Sequence, residues 1–321
     1  MNTRKTVTLS ILLGAVLAAA PAAQAKRRGG GGGDAEEHHR KGVEFYDAKQ
    51  FDKAVEEFSK EIEAAPDNPE AYKDRGTASR AAGRAAMAAN DGPAAAIRLN
   101  ASTADFSKMI ELSPKSGVGY LERAQTEIAQ IQFDAALNDA NKALELKGDE
   151  GLAYKFRGFA YIGLSQWDKA AADFTASIQK DPNDPQSYDR RAWANRNLKN
   201  FPAAIEDYTL ILQKNPNDED ALVKRGATYA TMAEYEKAIA DYQAALKLKP
   251  DDYNTVQRMQ YAQTQLAAKN APPATPTPTP GASFFTPARV FFALIILIII
   301  AAVVRFFTRG KPEQSSSTRI R

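Results

Sequence analysis

The strongest constraint on the fold of this chain is a pattern of small, aromatic and proline residues that recurs every 34 residues. The eighth place of each unit holds Gly or Ala, the twenty-fourth holds Phe or Tyr in all units but one, and Pro closes five of the six units. A small residue in one helix lets an aromatic ring of an antiparallel helix approach closely, and Pro ends a helix because it has no N–H to donate. The pattern therefore predicts that each unit folds as a helical hairpin. The six units begin at Ala35, Pro69, Gly117, Gly151, Pro185 and Glu219.

These places resemble the signature of the tetratricopeptide repeat family, whose 34-residue units are helix–turn–helix hairpins. The resemblance covers residues 35–268. It implies an all-α fold, a right-handed superhelical solenoid of about six hairpins, with a capping helix over residues 253–268.

The second unit departs from the pattern, because its signature fits only if about 14 extra residues lie between Gly76 and Phe106. Asn90-Asp91-Gly92-Pro93 is a strong turn signal in the middle of this insertion. We therefore expect two extra helical turns on each side of that turn. The longer hairpin is either a partner contact or a tolerated insertion at a loop tip.

The N-terminus has the pattern of a secretory signal. Arg4 and Lys5 precede an apolar run, and Ala23-Gln24-Ala25 is a small-residue cleavage site. The alternative is an uncleaved anchor, since Lys26, Arg27 and Arg28 follow at once and positive charge hinders translocation. The signal pattern predicts that the repeat domain is exported.

Near the C-terminus the run from Val290 to Val304 is wholly apolar, and Phe306 and Phe307 extend it around Arg305. This length is close to the lower limit for a membrane span. The sequence predicts one transmembrane helix followed by a basic tail, which would stay in the cytoplasm. The predicted location is the inner membrane of a bacterium, with the repeats outside the cytoplasm and the membrane contacted through this C-terminal helix.

A proline-rich segment before the apolar run is typical of an extended spacer. The predicted organisation is a signal peptide (1–25), a Gly-rich basic tether (26–34), the repeats (35–68, 69–116, 117–150, 151–184, 185–218 and 219–252), the cap (253–268), a linker (269–288), the transmembrane helix (289–307) and the tail (308–321).

Charge and cysteine content exclude several classes of function. Residues 26–288 carry 34 Lys and Arg against 38 Asp and Glu, so this part of the chain is mildly acidic and a nucleic-acid partner is not expected. The chain contains no cysteine, which excludes disulfides, thiolate nucleophiles and zinc ribbons.

The same register places a basic residue opposite an acidic one in every unit. We expect a charge ladder of ion pairs within or between hairpins, with a structural role. The seventh place carries Lys41, Arg75, Arg123, Arg157, Arg191 and Arg225, and the twenty-third carries Glu57, Asp105, Asp139, Asp173, Asp207 and Asp241.

Catalysis is not expected. His38 and His39 are the two histidines of the chain, and successive helical residues point about 100° apart, so their imidazoles cannot share a metal ion. His38 lies where other units place Tyr and is interpreted as a packing residue. The sequence has no phosphate-binding Gly-Lys-Ser/Thr loop, no Gly-x-Ser-x-Gly elbow and no HExxH motif. We predict no enzyme activity, no cofactor and no metal.

Binding is the function that the resemblance implies, since the first helices of such repeats line a concave face that holds extended peptides. Seven residues of units four to six fall at inward-facing places and are called the groove residues. They combine cations with aromatic rings, which suits a peptide with a carboxylate. The groove residues are Lys155, Phe159, Arg190, Trp193, Arg196, Asn197 and Lys224.

One branch of the family clamps a C-terminal carboxylate with paired Lys and Asn, but Phe159, Trp193 and Ala227 occupy the places where Asn would be needed. The expected function is therefore a non-catalytic scaffold that captures a protein or peptide of unspecified identity. The alternatives are a glycan or peptidoglycan binder, and a cytosol-facing anchored receptor or co-chaperone. A second copy of the chain is a further possible occupant of the groove.

Overall fold

The structure is a computed structural model that describes residues 31–271 and 287–308. Within these ranges all regular structure is helical, and no strand occurs. The helices are α1 (Gly31–Asp47), α2 (Phe51–Ala64), α3 (Pro69–Ala88), α4 (Gly92–Leu112), α5 (Gly117–Ala129), α6 (Phe133–Glu145), α7 (Glu150–Gly163), α8 (Trp167–Lys180), α9 (Pro185–Asn197), α10 (Phe201–Lys214), α11 (Glu219–Thr231), α12 (Tyr235–Leu248), α13 (Tyr253–Asn270) and α14 (Pro287–Thr308).

Helices α1 to α12 form six consecutive hairpins, one for each predicted unit. Each hairpin packs on the next through its second helix, and α3, α5, α7 and α9 also contact one another in series. The buried clusters join neighbouring hairpins: one of them combines Leu121 of α5, Ala136 of α6 and Phe156 of α7. This is the one-dimensional stacking of a solenoid.

Small residues and aromatic rings hold each hairpin together. A Cβ atom added to Gly42 would lie 2.5 Å from the Phe58 ring, and one added to Gly226 would lie 2.9 Å from the Tyr242 ring. Real Cβ atoms do not approach so closely, so glycine lets the two helices pack at this distance. The rings of Phe58 and Tyr242 are both 2% exposed.

Helix ends follow local sequence. The residue that precedes each first helix from the second unit onward accepts a hydrogen bond from a backbone N–H of the first turn, which stabilises the helix start. These N-cap residues are Asn68, Ser116, Asp149, Asp184 and Asp218.

The turn inside every hairpin contains one residue with positive φ. These residues are Lys49, Asn90, Ile131, Ser165, Lys199 and Ala233.

The long second hairpin has the predicted form. Helix α3 has 20 residues and α4 has 21, whereas α9 and α10 have 13 and 14. The turn centres on Asn90, at φ 60°, and the Asp91 side chain accepts from the N–H of Ala94. Seven extra residues in each helix amount to about two turns, so Gly76 still meets Phe106.

The ends of the repeat region differ slightly from expectation. Helix α1 begins at Gly31, inside the predicted tether, and Asp34 in its first turn favours the helix by facing its positive end. Helix α13 extends two residues beyond the predicted cap, to Asn270. Its Ala262 is buried against Ala238 and Tyr242 of the last hairpin.

Contacts divide the chain into two compact units, one ending at Ala262 and the other beginning at Gln263. The second unit contains α14, at the place of the predicted transmembrane helix. Among the described residues, however, no helix combines the length and apolarity that crossing a membrane requires, so the prediction of a transmembrane helix is not supported.

The predicted signal peptide and most of the linker and tail lie outside the described residues.

Candidate interaction face

The charge ladder forms within the hairpins. In the fourth unit Arg157 donates from Nε and Nη2 to the two carboxylate oxygens of Asp173, at 2.7 and 2.8 Å. These hydrogen bonds raise the pKa of the Arg157 guanidinium. The same pairing is found for Arg75–Asp105, Arg123–Asp139, Arg157–Asp173, Arg191–Asp207 and Arg225–Asp241.

Each ladder arginine also reaches the preceding hairpin. Arg157 donates from Nη1 to the Asn141 side chain at 2.8 Å, and its guanidinium lies 5.3 Å from the centre of the Tyr154 ring. The ladder thus joins the two helices of one hairpin and ties them to its neighbour. The acceptors on the preceding hairpins are Ser59, Ser107, Asn141, Thr175 and Thr209.

The first unit breaks the ladder. Lys41 pairs with Glu37 on its own helix, and Glu57 instead contacts His38, whose Nδ1 lies 2.7 Å from its carboxylate. The interpretation of His38 as only a packing residue was therefore incomplete. His38 lies at the place where other units have a packing tyrosine. From there its imidazole contacts Glu57, the acid at the place that pairs with arginine in the other units.

Two of the groove residues are engaged inside the protein. Lys155 of α7 lies 3.0 Å from the carboxylate of Asp184, and Lys224 of α11 lies 2.7 Å from that of Asp189. Burial opposes ionisation of Asp184, but hydrogen bonds from Ser187 and Lys155 outweigh it and lower the pKa of the carboxyl. These ion pairs connect successive first helices, so neither ammonium group is as available to a ligand as the sequence predicts.

Arg190 occupies a different position. Its guanidinium lies 5.6 Å from the centre of the Phe159 ring, and Phe159 in turn packs edge-on against Phe174. Asp189 is 3.7 Å away, longer than a hydrogen bond, and the buried Nε of Arg190 has no hydrogen-bond partner among the described residues. The Arg190 side chain as a whole is 38% exposed, so the accessible part of its guanidinium can donate to a ligand.

Trp193 lies one turn further along α9. It is 38% exposed and contacts Trp167, the first residue of α8, with ring centres 5.3 Å apart. Asn197 donates to the backbone carbonyl of Trp193, and Arg196 lies near the hydroxyl of Tyr208. Trp193 therefore offers apolar area that its neighbours only partly cover.

A cavity of about 280 Å³ lies between α9 and α11. Its lining includes Arg190, Asp189, Ile211 and Lys224. Arg190 thus lines this cavity together with Lys224 and stacks on Phe159, and Trp193 lies on the same helix. Among the described residues, the groove cations Arg190 and Arg196 form no ion pair between first helices, whereas Lys155 and Lys224 do.

The sequence reasoning did not identify Asp184, Asp189 or Trp167 as neighbours of the groove residues. Asp184 could have been recognised as a helix N-cap before Pro185, but its contact with Lys155 depends on how the hairpins stack. The sequence reasoning also did not identify Arg80, which is buried and donates from Nη1 to the backbone carbonyl of Glu122 on the next hairpin.

A second cluster was also missed, at the N-terminal end. The Nδ1 of His39 lies 3.3 Å from a carboxylate oxygen of Glu61 and 3.3 Å from one of Asp74. Burial raises the pKa of both carboxyls. His39 opposes this shift for both groups, and Lys73 also opposes it for Asp74. The imidazoles of His38 and His39 point to different partners, Glu57 and Glu61, in agreement with the expected divergence.

Comparison with known proteins identifies the repeats. Two family models described as tetratricopeptide repeat match residues 157–219 and 219–252. No curated protein matches the sequence significantly.

Two solved structures share the fold, and a third is also similar to the chain. PilF of Pseudomonas aeruginosa is 13% identical with a TM-score of 0.57, over 74% of this chain and 99% of that chain. The APC/C hetero-tetramer Cut9–Hcn1 is 14% identical with a TM-score of 0.57, over 71% of this chain and 42% of that chain. YrrB, described as a TPR protein with an unusual peptide-binding site, is 19% identical with a TM-score of 0.48, over 64% of this chain and 97% of that chain. The two family models show that residues 157–252 consist of tetratricopeptide repeats, and the helices before them, α1 to α6, pair into hairpins in the same way.

Proposed function

We propose that this protein is a non-catalytic interaction scaffold that binds an extended peptide segment of a partner protein across α7, α9 and α11. The observation that carries the proposal is the arrangement of Arg190 and Trp193 on one helix. Arg190 is stacked on Phe159, and Arg190 and Trp193 are both more than one-third exposed.

The chemistry of these two side chains defines the peptide. The exposed part of the Arg190 guanidinium favours a carboxylate, while the exposed face of Trp193 favours an apolar or aromatic side chain. Trp and Arg are also the residue types that most often dominate binding energy at interfaces. We therefore expect a segment with an acidic residue a few positions from an apolar one.

A random peptide library displayed on phage tests this proposal. The full chain is expected to enrich sequences with this pairing, and Trp193→Ala and Arg190→Gln are each expected to weaken binding of a selected peptide at least about ten-fold. The matched control is Tyr261→Ala, which removes an aromatic side chain that is 59% exposed on α13. Enriched peptides that bind both groove variants as tightly as the wild type would move the site elsewhere.

We also propose that the repeats function outside the cytoplasm. This proposal depends only on the charged, apolar and small-residue pattern of residues 1–25. Mass spectrometry of the mature protein is expected to find Lys26 as its first residue. A protein that retains Met1 or Asn2 and is protected from protease in spheroplasts would instead be cytosolic.

A further inference from the structure

The cluster of His39, Glu61 and Asp74 lies far from the proposed peptide site in sequence and plays no part in it. The three residues come from α1, α2 and α3, so they join the first hairpin to the second. One ligand atom from each side chain lies within 4.8 Å of the other two.

Hydrogen bonding alone explains this arrangement poorly. Two carboxylate oxygens lie 3.3 Å from the same Nδ1 of His39, but that nitrogen carries at most one proton. Both distances also exceed the usual N–H···O length of about 2.9 Å. The imidazole therefore cannot satisfy Glu61 and Asp74 together.

A tetrahedral metal ion explains the two distances at Nδ1. With bonds of about 2.0–2.1 Å to nitrogen and oxygen, two ligand atoms of such an ion lie about 3.4 Å apart. The two separations at Nδ1 are close to that value, and the ligand oxygens of Glu61 and Asp74 lie within 4.8 Å of each other. A neutral imidazole with two carboxylates would also carry the charge that a divalent cation neutralises.

The surrounding charges favour a cation as well. Lys73 is the cation beside Asp74, but its Nζ pairs with Glu70. Glu122 is paired with Arg80, and the imidazole of His38 is directed to Glu57. The cations nearby are therefore engaged by other acids, which leaves the cluster with two carboxylates and one imidazole.

We propose that His39, Glu61 and Asp74 bind one divalent transition-metal ion, best matched by Zn²⁺, which joins α1, α2 and α3. Mixed nitrogen and oxygen ligands suit Zn²⁺, whereas Mg²⁺ and Ca²⁺ prefer oxygen alone. The side chain of Glu61 is 5% exposed and forms the floor of the site, while that of His39 is 45% exposed and gives access from solvent. A water molecule would complete the tetrahedron on that open side. The ion would secure the N-terminal end of the solenoid, where a terminal repeat has only one neighbour.

Calorimetric titration with Zn²⁺ alone tests the proposal on the full chain, freed of affinity tags and stripped with a chelator. We expect one ion per chain and a higher thermal midpoint with Zn²⁺, because the ion binds only the folded state. His39→Gln and Asp74→Asn are each expected to weaken binding at least about ten-fold and to abolish the thermal shift. Mg²⁺ is expected to produce neither effect.

The matched control is His38→Gln, which removes the neighbouring imidazole on the same helix and is expected to bind Zn²⁺ like the wild type. Asp74→Asn decides the result if His39→Gln loses helicity by circular dichroism. Cobalt binding adds a readout that does not depend on the variants, since the wild type is expected to give the intense visible absorption of tetrahedral Co²⁺. Wild-type protein that takes up no Zn²⁺ at micromolar concentration, or His39→Gln and Asp74→Asn variants with wild-type affinity, would overturn the proposal.

Discussion

At the scale of single residues, arginine is what links one hairpin to the next. Arg157 makes a two-point contact with Asp173, donates a third hydrogen bond to Asn141 and stacks on Tyr154. A planar guanidinium with five donors can make these contacts at once, whereas a lysine ammonium cannot match the paired carboxylate oxygens. Each ladder residue therefore contributes both inside its hairpin and across the interface to the preceding one.

Removing one carboxylate from the charge ladder should lower stability. Asp173 is 6% exposed, so Asp173→Asn leaves the Arg157 guanidinium with a weaker acceptor in a largely buried place. We expect the free energy of unfolding to fall by about 1–3 kcal/mol. Urea denaturation followed by circular dichroism measures the change.

The control for this variant is Glu145→Gln. It removes the acid of an exposed ion pair with Lys142 and should cost less than about 0.5 kcal/mol. Equal effects of the two substitutions would mean that the charge ladder contributes no more than a surface ion pair.

At the scale of elements, the turn inside each hairpin has a geometry that its sequence does not favour. In the third hairpin the N–H of Gln132 donates to the carbonyl of Glu127 and that of Ile131 to the carbonyl of Ile128. This is the helix ending that usually places Gly at the residue with positive φ. Ile131, at φ 63°, is a β-branched residue in that position.

Replacing Ile131 with glycine should therefore stabilise the protein. The side chain is 72% exposed, so little packing is lost, and relief of the left-handed conformation outweighs the extra flexibility of Gly in the unfolded chain. We expect the free energy of unfolding to rise by about 0.5–1 kcal/mol. Thermal and urea denaturation measure the gain.

Ile97→Gly is the matched comparison, because Ile97 is 70% exposed but lies inside helix α4. This substitution should destabilise the protein by about 0.5–1 kcal/mol. Two changes of the same sign would show that local backbone conformation does not decide the outcome.

Much of the element structure could be predicted from the sequence, because its causes are local. Pro69, Gly117, Pro185 and Glu219 each begin a helix as the 34-residue pattern predicts, and Asn90 lies in the predicted turn. The start of α1 could not be predicted, since a run of glycines has no local preference for ending or extending a helix.

At the scale of the whole molecule, the candidate sites depend on how hairpins stack. Lys224 meets Asp189 across 35 positions of sequence, and His39 meets Asp74 across a similar distance, so neither contact follows from helical periodicity. The sequence alone shows which side chains lie on a first helix. It does not show which acid of the next hairpin neutralises them, which is why the predicted cations Lys155 and Lys224 are less available than expected.

The same stacking links α7, α9 and α11 through the ion pairs of Lys155 and Lys224, and it places Arg190 and Trp193 on the middle helix of the three. An extended segment could contact several repeats there, and a preformed surface lowers the ordering cost of binding. The proposed function requires that a bound peptide touch this face.

Photo-crosslinking locates the peptide on the chain. A peptide selected by the full chain, carrying one photoreactive residue, is irradiated in complex and the crosslinked residues are identified by mass spectrometry. We expect crosslinks on α7, α9 and α11, lost with excess unlabelled peptide and lost in Trp193→Ala. Crosslinks confined to the long hairpin of α3 and α4, or to α13, would contradict the proposed site.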